Sequence, residues 1–516
     1  MALLRSITTV GGFTLGSRVL GFLRDVLIAA LLGAGPVADA FFIAFRFPNM
    51  FRSLAAEGAF SVAFVPMFAG LVATRGRPAA LGFAGQTLGV VLPTLLVFTL
   101  VVELAMPWLM YAIAPGFAAT PAKFELAILL TRICFPYLML ISLVSLLGGM
   151  LNSIDRFAPL AAAPMLLNAC LIVALFALTP LTPNAGHALA WGVAIAGVGE
   201  FLWLVIACRR AGLELRLPRP RLTPAVRQLL KRMLPAALGA GVIQVNVVVS
   251  GILASLLADG AVAILAYADR INQLPLGVFG AAIGTALLPL LSRHVRAGDL
   301  ASAAHSQNRA IELALLLTVP AAAGLIALAH PIVSVLFERG AVGAREAAAT
   351  GAVLAAYACG LPAYVLVKAL APAFFAREDT TTPVRIAIAA MLANLVLNLA
   401  LMPVLAEVGL ALGTALASWL NALLLALALR RRGHLALDER LRKRWPRVVL
   451  AALIMGGAVW AAGQWAAPWL APGHITRYAA LALLIGGGIV LFGLVAQVIG
   501  AARLRDLQAL TRRNRS

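Results

Sequence analysis

The stretch Ala479–Ile499 reads AALALLIGGGIVLFGLVAQVI, 21 residues without a charge. An α-helix needs about 20 residues to cross a hydrocarbon layer of about 30 Å. A surface helix of a soluble protein would keep a polar face, and this one has none. Leu88–Trp108 (LGVVLPTLLVFTLVVELAMPW) and Leu160–Leu178 (LAAAPMLLNACLIVALFAL) repeat the pattern, with Glu103 the only charge in either. Composition agrees with a membrane chain. Of 516 residues, 62% are apolar and 12% charged, against roughly 25% charged in soluble domains.

Working outward from these three stretches, fourteen helices are expected, near 7–32, 37–72, 82–112, 126–150, 158–179, 186–208, 233–256, 261–291, 308–330, 347–371, 383–403, 408–429, 447–467 and 477–500. The connections sort by charge. With the N-terminus in the cytoplasm and sides alternating, 30 Lys and Arg fall in cytoplasmic segments. Only Lys123, Arg339, Arg345 and Arg477 fall opposite. That bias is the positive-inside signal, so both termini are expected in the cytoplasm. The net charge of +21 would suggest nucleic acid in a soluble protein. Here it reads as basic loops beside anionic membrane lipids, with no nucleic-acid partner.

Arg18, Arg24 and Asp25 interrupt the first apolar stretch, which a cleaved signal peptide would not tolerate. Cys134, Cys170, Cys208 and Cys359 form no CxxC pair, so neither a disulfide framework nor a metal site is expected.

An internal repeat sets the architecture. Ala59–Met67 (AFSVAFVPM) resembles Ala282–Leu290 (AIGTALLPL) in the second half of the chain. Pro136 and Asn168 recur as Pro362 and Asn394, at nearly the same offset. Both offsets equal six helices, so the halves share one orientation. The expected fold is an all-α polytopic membrane protein of two pseudo-symmetric six-helix lobes around a central cavity, plus two C-terminal helices. Its divisions are 1–222, 223–445 and 446–516, the last ending in a basic tail. Repeats about a central site are the architecture of secondary transporters. Pro48, Pro66, Pro275 and Pro289 are expected to bend the cavity-wall helices. The GxxxG spacings Gly12/Gly16, Gly280/Gly284 and Gly409/Gly413 read as helix-packing contacts.

Seven basic residues remain inside the helices: Arg18, Arg24, Arg46, Arg52, Arg132, Arg270 and Lys368. A charge at mid-bilayer costs roughly 2.5–3.5 kcal/mol on insertion scales, so something must compensate. One reading pairs them with Asp25, Asp39, Glu57, Glu103, Glu200 and Asp269; Arg18 and Asp25, seven apart, share a helix face. The other reading is a hydrated, net-basic cavity that binds an anion. Arginine suits that role because its planar fork donates two parallel hydrogen bonds to phosphate. Arg132 reads as snorkelling to the interface. Glu103 and Glu200 read as packing or pairing residues. No GxxxxGK[ST], HExxH or GxSxG motif is present, so those nucleotide, zinc and serine chemistries are not expected.

Several motifs are more specific. They are Ser17–Asp25 (SRVLGFLRD), Ala38–Phe41 (ADAF), Phe47–Asn49 (FPN), the run from Arg52 to Phe60, Leu151–Phe157 (LNSIDRF), Ala268–Pro275 (ADRINQLP), Phe337–Gly340 (FERG) and Ala376–Thr380 (AREDT). On these the chain resembles the MurJ (MviN) lipid II flippases of the multidrug/oligosaccharidyl-lipid/polysaccharide exporter superfamily. The resemblance implies a transporter, not an enzyme, in the bacterial inner membrane. It would move lipid II, an undecaprenyl pyrophosphate carrying the peptidoglycan precursor, from the cytoplasmic to the periplasmic leaflet. It implies cavity arginines at Arg18, Arg24, Arg52 and Arg270 that take the pyrophosphate. Further cavity charges would be Asp25, Asp39, Arg46, Glu57, Asp269 and Lys368, and a lipid-tail groove would lie on the last two helices. No cofactor or metal is implied; coupling to membrane potential or a monovalent cation and contact with cell-wall synthesis proteins are. The rival readings are a flippase for another lipid-linked glycan, a drug exporter, and a scaffold docking partners on the basic 209–232 loop. A drug exporter would show an acidic cavity, against seven basic and six acidic residues here.

Overall fold

The computed structural model describes residues 2–52, 60–215 and 218–502. Every regular element among them is helical. Nine described helices are long and apolar enough to cross a membrane. The first helix, α1 (Ala2–Leu32), is outside that nine, and it carries Arg18, Arg24 and Asp25.

The chain forms two compact units, Met1–Ala263 and Ile264–Ser516. In the first, α2 (Pro36–Arg52), α3 (Phe60–Ile113) and α4 (Pro121–Cys134) are followed by α5 (Tyr137–Asn152), α6 (Ala158–Ala177), α7 (Ala185–Arg210) and α8 (Pro224–Ser255). Helix α1 packs on α6, α6 and α5 on α7, and α2 on α4. Helix α5 is buried along nearly its whole length, so its apolar run has no polar face to keep. Phe64 stacks on Phe60, Phe68 and Phe83. Asn184 caps α7 by accepting from the His187 amide, and Thr223 caps α8 from Val226.

The helix α9 (Ala261–Arg296) leads into the second unit. There follow α10 (Leu300–Ala327), α11 (Ala329–Phe337), α12 (Ala344–Cys359), α13 (Leu361–Phe375), α14 (Thr381–Arg431), α15 (Glu439–Trp465), the short α16 (Ala467–Leu470) and α17 (Thr476–Val498). Helix α10 packs on α15 and α13, α13 on α14, and α15 on α17. Leu370, Phe374, Leu425 and Leu429 are among the buried residues of this unit's core.

The repeat has a structural counterpart. Pro121–Asn152 and Ala344–Phe375 are both 32-residue apolar segments. Each breaks near its middle, beside Pro136 in one and at Gly360, next to Pro362, in the other. Helix starts at 121 and 158 recur, with one common offset, at 344 and 381.

Helical geometry is lost at other places than the four prolines suggested. The helices run through Pro48, Pro66, Pro275 and Pro289. The chain instead leaves helical φ/ψ at Gly76 (φ 77°) in α3 and at Ala406 (φ 46°) in α14. These single-residue corners lie at the expected junctions 72–82 and 403–408. The long helices α3 and α14 are therefore each two arms.

Gly409 and Gly413 show why small residues recur. A Cβ on Gly409 would lie 2.6 Å from the Leu401 carbonyl oxygen, and one on Gly413 would lie 2.2 Å from Asn398 Oδ1. The two arms of α14 touch through these glycines.

Candidate functional site

Three groups of charged side chains lie within the units. The first joins α1 to α6. Arg24 is 6% exposed and Asp25 3%. Arg24 Nε and Nη2 both donate to Asp25 Oδ1, at 2.9 and 2.6 Å, and Nη1 donates to Asn168 Oδ1 at 2.7 Å. Asn168 Nδ2 in turn donates to the Ser17 carbonyl at 3.0 Å and lies across Gly21. A desolvated guanidinium is thus held at three of its donors. Of the pairings open to Asp25, the structure shows one with its neighbour Arg24, whose long side chain folds back beside it, while Arg18 is exposed.

The second group surrounds Asp39 in the first turn of α2, which is fully buried. Lys123 Nζ bridges Asp39 Oδ2 and Asp259 Oδ1, each at 2.7 Å, and sits 4.0 Å above the Phe117 ring. Asp39 also accepts from the amides of Gly260 (2.7 Å) and Ala263 (2.9 Å), at the start of α9. A carboxylate there complements the positive end of the helix. Gly260 has φ +93°, and a Cβ there would lie 2.4 Å from the Ala34 carbonyl oxygen, so only glycine fits the approach.

Neither Lys123 nor Asp259 is among the candidates from sequence, where both fall in short connections. The signal available was an isolated lysine on a side holding only four basic residues. Arg46 lies over Gly251 of α8, its Nη1 2.4 Å from where a Cβ would stand. Arg52 ends α2, and Glu57 lies outside the described residues.

The third group is in the second unit. Asp269 and Arg270 are half-buried on α9, and Asp269 accepts from Gln273 one turn on. Lys368, on α13, crosses Gly280: its Nζ and Cδ lie 2.9 and 3.0 Å from where a Cβ would stand. On α10, Glu312 is 8% exposed and sequence reading passed over it. It pairs with Arg309, with Arg440 at 3.2 Å and with Arg444 at 2.7 Å. The i,i+3 spacing from Arg309 was the available signal.

Arg132, expected near a helix start, is at a helix end and exposed. It lies in the last turn of α4 and donates to the Glu103 carbonyl at 3.2 Å. Glu200, 1% exposed, accepts from Tyr137 Oη at 3.2 Å.

The Ala376–Thr380 motif has a local role: Asp379 Oδ1 accepts the Thr382 amide at 2.9 Å at the start of α14. It also pairs with Arg432. The amide bond, then Arg432, holds the Asp379 carboxyl well below the usual carboxylate range. Among the described residues, no group of three or more His, Cys, Asp or Glu is placed to hold a metal ion.

Comparison with known proteins follows the same lines. Residues 28–480 match the family model described as lipid II flippase MurJ. A Rhizobium tropici protein named probable lipid II flippase MurJ is 45% identical, over 100% of this chain and 98% of its own length. A Burkholderia cenocepacia lipid II flippase MurJ is 36% identical over 89% of each. Among solved structures, a lipid II flippase MurJ in an inward closed conformation shares the fold. Its TM-score is 0.80 at 24% identity, over 96% of this chain and 99% of that one. An inward-facing multidrug MATE transporter superposes with TM-score 0.66 at 15% identity, over 80% of this chain and 94% of its own.

Proposed function

The chain belongs to the lipid II flippase MurJ family, and from that premise we propose that it moves lipid II from the cytoplasmic to the periplasmic leaflet of the bacterial inner membrane. The observation that carries this is the length of the match, 45% identity across the whole chain. The proposal places both termini in the cytoplasm, following the loop charges. Transport proceeds by alternating access, with the head group crossing in water and the tail in lipid.

Arg18, Arg24, Arg52 and Arg270 take the pyrophosphate. Asp25, Asp39, Arg46, Glu57, Asp269 and Lys368 set the surrounding field. Arg24 supports this reading: it is buried and charged, and Asp25 and Asn168 fix its orientation. Such a group is preorganised for an oxyanion and adapts only by exchanging partners. Membrane potential, worth about 2.3 kcal/mol per charge per 100 mV, or a monovalent cation drives the cycle. Anionic lipids flank the basic loops, and cell-wall synthesis proteins supply and consume the substrate.

The test is a strain depleted of its own flippase and carrying this chain, with lipid II measured in each leaflet. The chain is expected to restore lipid II to the periplasmic side. Arg24→Ala and Arg270→Ala are expected to leave it on the cytoplasmic side at normal protein levels. Full complementation by both would overturn the arginine assignment. Failure of the parent chain to change leaflet occupancy would overturn the flippase reading itself.

A further inference from the structure

Two of the four basic residues expected opposite the basic loops meet in the second unit. Arg339 lies in the turn after α11, where Gly340 has φ +61°. Arg477 lies in the first turn of α17 and is only 7% exposed. The two guanidinium carbons lie 5.9 and 5.1 Å from the centroid of the Tyr478 ring. Arg477 donates to the Glu338 carbonyl at 3.4 Å and to Tyr478 Oη at 3.2 Å. Arg339 Nη2 donates to the carbonyls of Val335 (3.0 Å) and Leu336 (2.7 Å). Its Nε is buried and has no acceptor among the described residues. Among those residues neither arginine pairs with a carboxylate; the Glu338 side chain instead accepts from Ser334.

The plain reading is that Arg339 caps the C-terminus of α11 and Arg477 ties that turn to α17. It accounts for the carbonyl bonds. It leaves two cations at one spot without a described acid, one of them only 7% exposed. It also leaves a basic residue in the first turn of a 23-residue helix, against the helix dipole. That helix start has no side-chain cap, its Arg477 amide donating to the His474 carbonyl at 3.3 Å, and the positive end of a helix favours an anion.

The depth is marked as well. Trp465 and Trp469 lie 4.7 Å apart, 75% and 45% exposed, and Tyr478 is 44% exposed. Exposed Trp and Tyr gather at the head-group level of a bilayer.

We infer that Arg339, Arg477 and the first turn of α17 bind the phosphate of a membrane lipid in the leaflet opposite the basic loops. The site rests on the orientation proposed above and not on the flippase activity. The spare guanidinium donors, beside the positive end of α17, take the phosphate oxygens, and the exposed tryptophans border its acyl chains.

The test is native mass spectrometry of the full chain in detergent. Phosphatidylglycerol, a polyprenyl diphosphate and inorganic phosphate are titrated separately. One lipid is expected to bind with preference, about tenfold weaker after Arg477→Gln or Arg339→Gln. It should be unchanged after Arg345→Gln, which removes the same charge from an exposed position on the same side. The lipid that binds tighter names the source. Inorganic phosphate binding as tightly as either lipid overturns the lipid assignment. Equal binding by all variants, or equal weakening by Arg345→Gln, overturns the site. If Arg477→Gln fails to fold, Arg477→Lys serves: it keeps the charge, loses the fork, and is expected to weaken lipid binding at an unchanged melting temperature. Unchanged binding by that variant counts against the site. Labelling of Arg345→Cys from outside intact cells checks orientation separately, and transport in the depleted strain stays a separate readout.

Discussion

Two ion-pair clusters hold helices together with opposite arithmetic. Around Lys123, one buried cation sits between Asp39 and Asp259. Around Glu312, one buried carboxylate sits among Arg309, Arg440 and Arg444. The first lies where loop charge predicts four basic residues, the second where it predicts thirty. In each place the scarce sign becomes the hub and the abundant sign supplies the spokes. The bias that orients a membrane chain therefore also determines which residue type is irreplaceable at each end.

The Lys123 hub gives the largest expected effect. Lys123→Met leaves Asp39, fully buried, with only two amide partners. Breaking a buried pair from one side costs about 3–5 kcal/mol, read as lost thermal stability in detergent. Asp259→Asn is the sharper control, because that side chain is 51% exposed and such pairs contribute about 1 kcal/mol or less. Equal losses from the two substitutions would break the hub-and-spoke account.

Glu312→Gln comes next, at about 1–3 kcal/mol. Arg440 is 43% exposed, and water screens part of the repulsion among the arginines left behind. A loss larger than that of Lys123→Met would reverse the ranking of the two ends.

The smallest effect concerns pH. Asp379 is held below its ordinary range, so its contribution is full above that range and is lost as pH falls through the depressed value. The melting-temperature difference between the parent chain and Asp379→Asn should stay constant from pH 8 to 5. It should shrink only below about pH 4. Shrinkage between pH 7 and 5 would show that Thr382 and Arg432 do not hold the carboxylate in solution.

The helices were legible because lipid imposes a length and an apolar composition that few other environments require. Arg24 was legible as an anomaly, since a charge inside such a helix demands an explanation. Its acceptors were less so. Asn168 lies five helices further along the chain, and only the packing of α1 on α6 brings it to Arg24. Lys123 was misread as a loop residue because hydropathy treats a charge as exposed. Asp39 reaches it from the start of α2, Phe117 from the turn before α4 and Asp259 from the connection before α9, and no local pattern encodes that meeting. The corners at Gly76 and Ala406 fall in junctions that were legible from the helix lengths, 72–82 and 403–408, but which single residue turns the chain was not, because a positive φ leaves no mark in hydropathy.

The arms of α14 carry a last consequence. Leu401 faces Gly409 and Asn398 faces Gly413, so the contact is antiparallel and in register about the corner at Ala406. Each residue added to a helix turns its face by about 100°. One inserted residue between 402 and 408 would swing a bulky neighbour into the slot that Gly409 now leaves open. Related chains should therefore vary in the identity of these corner residues far more readily than in their number. A hairpin of this kind works as a ruler, in which the number of corner residues matters more to the contact than their chemistry.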